Sequence, residues 1–168
     1  MVDIQTLKKI NFLKDLPGNV LEKICTVAQM ETFDEETILV RQDQEQHLIY
    51  MVVSGKIFLN CRAASGKALT LDELDNGHTF GVSSLLDNTP STYTAICAED
   101  SKVITIASSE LRQLFESDYA IGYEVMKQVV EKFKRRLGRH TDQFMETLST
   151  HPAIGHIKNE PKETPERS

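Results

Sequence analysis

Between Thr37 and Ala107 the apolar residues of this 168-residue chain come in short runs that never settle into a helical period. Thr37-Ile38-Leu39-Val40, the stretch Leu48 to Val53, and Lys56-Ile57-Phe58-Leu59 are β-branched or aromatic, with polar or glycine-containing turns between them. Ala68-Leu69-Thr70-Leu71-Asp72 alternates, and Thr92–Ala98 and Lys102–Ala107 read as further strands joined by Glu99-Asp100-Ser101. Parallel strands need crossovers of a dozen or more residues. The spacing here predicts an antiparallel barrel or sandwich instead. Ser54-Gly55 suggests a tight hairpin between two of the runs.

Helical periods flank this region. Ile4, Leu7, Ile10 and Phe12-Leu13 fit a short amphipathic helix stopped by Pro17-Gly18. Asn19 and Glu22 resemble a capping box for a second helix, with Leu21, Ile24 and Val27-Ala28 on its apolar face. Ser108-Ser109-Glu110 reads as the capped start of another helix, and Ser117-Asp118 as a second cap before a much longer one. On that long helix Ile121, Val125 and Val129 mark one apolar face, and Tyr123, Met126, Val130, Phe133 and Leu137 another. Two faces need two partners, the chain's own core and something else. The stripe continues through His140 or Thr141, Phe144 and Leu148, close to a heptad seam. A homodimer is expected from it, with Ile121, Val125, Val129, Phe133, Leu137, Phe144 and Leu148 as interface candidates. Gly138 weakens this helix by about 1 kcal/mol relative to Ala, so partner contacts would have to hold it.

The expected organisation is N-terminal helices over 1–30, strands over 31–107, helices over 108–149 and a tail without fixed structure over 150–168, where Pro, Lys and Glu accumulate. The net charge of −6 argues against a nucleic-acid-binding surface. Cys25, Cys61 and Cys97 are odd in number and widely spaced, which fits free thiols in a reducing cytosol better than disulfides or zinc. No apolar run approaches the roughly 18 residues that a membrane span requires. A soluble, cytoplasmic protein without metal is expected. The histidines share no ligand spacing, and no nucleophile elbow or nucleotide P-loop appears. No catalytic residue is assigned and enzyme activity is not expected.

The stretch from Gly77 to Thr92 carries the functional signal. A Gly-Phe-Gly turn opens a short hydroxyl-rich segment, and Pro90 closes it before a strand. Such a turn aims unpaired backbone N–H groups at one point, the arrangement of an anion site. The candidate ligand-binding residues are Phe80, Gly81, Val82, Ser83, Ser84 and Leu85, and beyond them Pro90, Ser91, Thr92 and Tyr93.

Phe12-Leu13-x-x-Leu16-Pro17, Tyr50 to Ile57, Gly77-x-x-Phe80-Gly81, Ser84-Leu85-Leu86-x-x-x-Pro90 and Arg135-Arg136-Leu137 together resemble the cyclic-nucleotide-binding domain family over about residues 10 to 140. The resemblance implies an α+β fold: an antiparallel β-roll with N-terminal helices and a long C-terminal helix. It further implies a phosphate cassette of the form Phe-Gly-Glu-x-x-Leu-Leu-x-x-x-Pro-Arg-x-Ala-Thr, in which Glu holds the ribose hydroxyl and Arg the cyclic phosphate. Here Val82 stands at the Glu position, Ser91 at the Arg position and Tyr93 at the small Ala position.

Removing one partner of a buried charge pair costs about 2–5 kcal/mol. At that cost a micromolar site weakens to the order of 0.1 mM, which argues against tight binding of cyclic AMP or GMP. The leading expectation is a stand-alone regulatory sensor binding a non-standard small effector and signalling through its long C-terminal helix. The alternatives are a ligand-free dimeric adaptor with its pocket plugged by Tyr93, and a weak receptor for cyclic AMP or GMP. An unknown protein partner is expected. The family's transcription factors carry a helix-turn-helix after the long helix, whereas only a short polar tail follows here, so direct DNA binding is not expected. The Lys132, Lys134, Arg135, Arg136 and Arg139 cluster reads as a solvated helix face.

Overall fold

The run Leu48 to Val53 is apolar without alternation because its strand is covered on both faces. Ile49 and Met51 face a cluster built with helices, while Tyr50 and Val52 face the interior of a β-roll. The computed structural model describes residues 2–63, 66–86 and 90–150. Its strands are β1 (Ala28–Phe33), β2 (Ile38–Val40), β3 (Leu48–Ser54), β4 (Ile57–Arg62), β5 (Ala68–Leu74), β6 (Thr79–Phe80), β7 (Thr94–Cys97) and β8 (Ser101–Ala107). They form two four-stranded sheets, β1-β8-β3-β6 and β2-β7-β4-β5, with antiparallel pairing throughout.

The chain divides into two units, Met1–Val130 and Glu131–Ser168. In the first unit the helices are α1 (Ile4–Leu7), α2 (Gly18–Val27) and α3 (Ser108–Ser117), together with the start of α4 (Tyr119–Thr150). Leu7, Leu13, Leu21, Ile24, Leu111, Ile121, Val125 and Val129 pack with Ile49, Met51, Ile104 and Ile106 of the first sheet. Val40, Ile57, Leu59, Ala95 and Cys97 of the second sheet close on Tyr50, Val52 and Val103 to fill the roll. The α+β roll implied by the resemblance is therefore the observed fold.

Several local expectations change. Ser54-Gly55 makes no hairpin, because β3 pairs with β6 and β8 while β4 pairs with β5 and β7. The turn carries the chain from one sheet to the other. Gly55 takes φ +99 there, and a Cβ would lie 2.7 Å from the Ser101 Cα and 2.8 Å from the Asp100 carbonyl oxygen. The first helix is a single turn capped by the Asp3 carboxylate, which accepts from the Thr6 N–H at 2.8 Å. The second begins at Gly18 after Pro17 without a side-chain cap, so Asn19 lies inside it. Ala28 leaves that helix to begin β1, whose half-covered Ala-Gln-Met-Glu-Thr-Phe sequence lacks an alternating apolar signature. The N-cap of α3 is Ala107 rather than a hydroxyl residue. Asp118 does cap α4, accepting from the Ala120 N–H at 3.0 Å.

The start of α4 corrects the expected dimer surface. Ile121, Val125 and Val129 are buried in the core of their own unit and present nothing to a partner. Tyr119, Tyr123, Met126 and Val130 are its exposed apolar residues. In the second unit, described as far as Thr150, Phe133, Leu137, Phe144 and Met145 are exposed. The expected tail beyond Thr150 lies outside the described residues. Among the described residues no helix is long and apolar enough to cross a membrane. The cysteines are free, with Cys97 buried and Cys25 and Cys61 partly so.

Gly55→Ala is expected to cost about 3 kcal/mol in urea denaturation, combining an unfavourable φ with backbone overlap. Gly66→Ala, at φ +81 with open space around it, should lose only about 1 kcal/mol. Gly138 also has open space where a Cβ would stand, so Gly138→Ala should slow amide exchange in residues 131–150 by strengthening the helix by about 1 kcal/mol.

Candidate ligand-binding site

The candidate site begins where β6 pairs with β3, placing Phe80 opposite Tyr50 and Thr79 opposite Met51. The Tyr50 and Phe80 rings stack at 4.8 Å between centroids. Gly81 then turns the chain at φ +82, where a Cβ would meet Gln46 Nε2 and fall 2.6 Å from the Leu48 carbonyl oxygen. Only glycine fits that approach. Val82–Leu85 follow as one turn of 3₁₀ helix, closed by Ser84 N–H donating to the Gly81 carbonyl at 3.0 Å.

The positions that depart from the cassette implied by the resemblance make other contacts. Val82 is 5% exposed and joins the helix-side apolar cluster, as Leu85 does in part. An apolar side chain facing that cluster offers no acceptor for a ribose. Ser91 is buried, and its hydroxyl is engaged locally: it donates to the Tyr93 carbonyl at 2.7 Å and accepts from the Tyr93 N–H at 3.3 Å. Tyr93 is 5% exposed within the roll's interior cluster. Its phenolic oxygen accepts the Gly81 N–H at 3.0 Å. One of the amides that the turn would aim at an anion is thus satisfied by the protein itself.

The other candidates separate. Phe80, Gly81, Ser91 and Tyr93 are brought together, while Thr92 and Pro90 are exposed. Pro90 forms an isolated antiparallel bridge with Glu45. Ser83 is partly buried, and Ser84 is buried with no partner for its hydroxyl among the described residues. The Thr79 hydroxyl and Gln46 Oε1 are likewise buried without partners among those residues.

Sequence reasoning missed two groups at this site. Gln46 packs against Gly81 and donates from Nε2 to the Leu48 carbonyl at 2.7 Å. Arg112 of α3 donates from Nη1 to the Ser84 carbonyl at 3.1 Å, tying the 3₁₀ turn to that helix. Their sequence distance from the cassette leaves no periodic signal.

Tyr50 donates its hydroxyl to the Leu39 carbonyl at 3.1 Å. Burial pushes its phenol up from the usual 10.0 to about 12, with Glu31 and Tyr93 adding to the shift. A raised acid pKa means that the folded state favours the neutral phenol.

The geometry defines a helix-flanked antiparallel roll with a glycine-turned cassette between its sixth and seventh strands. The sequence profile of the cyclic nucleotide-binding domain family matches residues 30–118, over half the chain, and the chain belongs to that family. It is 24% identical over 130 residues to the potassium channel KAT1 of Oryza sativa subsp. japonica, a match covering 77% of this chain and 18% of the channel. A second curated relative is matched over only 29% of its length. The solved cyclic nucleotide-binding domain from Methylobacillus flagellatus superposes with a TM-score of 0.76 at 14% identity, covering 86% of this chain and 81% of that one. The regulatory subunit of a cAMP-independent protein kinase A from Trypanosoma brucei superposes at 0.65 with 17% identity, covering 80% and 50%.

Tyr93→Phe should leave the Gly81 N–H without its partner inside the core and cost about 1–3 kcal/mol in chemical denaturation. The Tyr50 contribution to stability should be complete below pH 10 and be lost as pH rises towards about 12. Denaturation midpoints measured across that range should fall less steeply for Tyr50→Phe than for the unmodified chain.

Proposed function

We propose that this chain is a regulatory module of the cyclic-nucleotide-binding type whose nucleotide pocket is filled by its own Tyr93, and that it acts by ligand-independent association. The observation carrying this reading is the Tyr93 hydroxyl on the Gly81 N–H. Val82 in the helix-side core and the locally bonded Ser91 support it, because neither supplies the charge that a cyclic phosphate and its ribose require. The Trypanosoma brucei neighbour, described as cAMP-independent, offers a parallel on the same fold.

The association surface in this reading is the exposed stripe of α4. In the second unit the exposed Phe133, Leu137 and Phe144 keep the spacing of a heptad seam. A stripe of that period is complementary to another helix of the same kind, and a second copy of the chain supplies one.

A second reading rests on the unpartnered Thr79 and Ser84 hydroxyls and Gln46 Oε1. Buried polar atoms without partners cost about 1–3 kcal/mol each, and a small neutral effector would satisfy them. Native mass spectrometry of protein from its own cell separates the two, since a retained small molecule favours the effector.

Isothermal titration with cyclic AMP and cyclic GMP should show no saturable binding at micromolar concentration. Binding there by the unmodified chain would refute the filled pocket. The combined Val82→Glu, Ser91→Arg and Tyr93→Ala variant should gain affinity. Sedimentation velocity should give a dimer that Leu137→Glu converts to monomer.

A further inference from the structure

A cavity of about 520 Å³ lies against the second sheet, apart from the cassette. Register places its floor on the outward face of that sheet. Ala95 and Cys97 of β7 are buried in the roll, so Thr94 and Ile96 point away from it, with Asn60 opposite Thr94 and Ile38 opposite Ile96. Arg41, just after β2, and Arg62, at the end of β4, complete the lining.

The polar groups of this cavity are unevenly occupied. The protein already uses three of its side-chain acceptors. Gln42 Oε1 accepts the Arg62 N–H at 2.8 Å, Asn60 Oδ1 accepts from the Thr70 hydroxyl at 2.9 Å, and Thr94 Oγ1 accepts the Gln42 N–H at 3.1 Å. The donors are left over. Among the described residues, the guanidinium groups of Arg41 and Arg62 and the side-chain amide N–H groups of Gln42 and Asn60 have no protein partner. A chain of net charge −6 thus directs two arginines and two amides at one concavity floored by isoleucine. Asp43 is the acidic member of the lining, leaving one net positive charge.

We propose that this cavity binds a small organic oxyanion, its phosphate or carboxylate head between Arg41 and Arg62 and its apolar body on Ile38 and Ile96. Guanidinium forks match both head groups through paired charge-assisted hydrogen bonds. The site is independent of the filled cassette, yet its wall touches it. Asp43, at φ +64, donates its N–H to the Ser91 carbonyl at 2.7 Å, and Ser91 donates to the Gln44 carbonyl at 2.9 Å. Arg41 thus begins the loop whose backbone bonds hold Ser91.

The test is a two-dimensional NMR titration of the full chain with phenyl phosphate, with benzoate, and with phenol as the neutral control, each to about 10 mM. Phenyl phosphate should shift the Asn60, Thr94 and Ile96 amides saturably, and phenol should not. Comparable shifts with benzoate assign the site to oxyanions generally, and their absence assigns it to phosphate. The Arg41→Gln/Arg62→Gln double variant should weaken binding by about tenfold or more. Both arginines are exposed, so its thermal melt should be unchanged. No saturable shift with either anion, equal binding by the double variant, or shifts confined to Gly81 and Tyr93 would each overturn the proposal. Only the last would also count against the filled cassette.

Discussion

The fold hangs on β3, paired with β8 on one side and β6 on the other, and covered on both faces. From Ile49 to Val52 the strand has no solvated face, so each of those four side chains must fit one of two cores. Ile49 and Met51 anchor the helices, while Tyr50 and Val52 anchor the roll. Its pairing with β6 stacks Phe80 on Tyr50 and brings the Gly81 turn against the Leu48 carbonyl. The cassette is consequently fixed by a strand packed on both faces.

That placement explains why three substitutions in the cassette can be absorbed. A Glu at position 82 would need a ligand or cation to justify its burial, whereas Val82 simply extends the helix-side core. A buried Arg at position 91 would need an anion, whereas Ser91 closes a local turn on Tyr93. Tyr93 fills interior volume and returns a hydroxyl to the amide of Gly81. Taken together these three side chains make neutral contacts within the protein. Two arginines, Arg41 and Arg62, line a cavity against the second sheet.

The local chemistry of the cassette was legible because it depends on residue types at fixed short spacing. Gly81 had to turn the chain, Pro90 had to end the segment, and the absence of Glu and Arg was visible directly. The Asp118 cap and the two faces of α4 were legible for the same reason, since both follow from neighbours within a turn or two. The Ser54-Gly55 turn was misread because a glycine-containing turn looks the same whether the chain pairs back on itself or crosses to another sheet. β1 was missed because a half-covered edge strand has no clean alternation. Ile121, Val125 and Val129 were correctly seen as a face, but which face meets the core and which meets solvent is a property of the packed molecule.

By itself, then, the sequence determined the antiparallel roll and showed Val82, Ser91 and Tyr93 where the resemblance implies Glu, Arg and Ala, because periodicity and residue chemistry are local. Only the tertiary structure decided that the Tyr93 hydroxyl meets the Gly81 amide, that Arg112 reaches the Ser84 carbonyl, and that Arg41 and Arg62 share a cavity. Each of these joins residues that no period relates, and the packing of strands, turns and helices sets the distance between them.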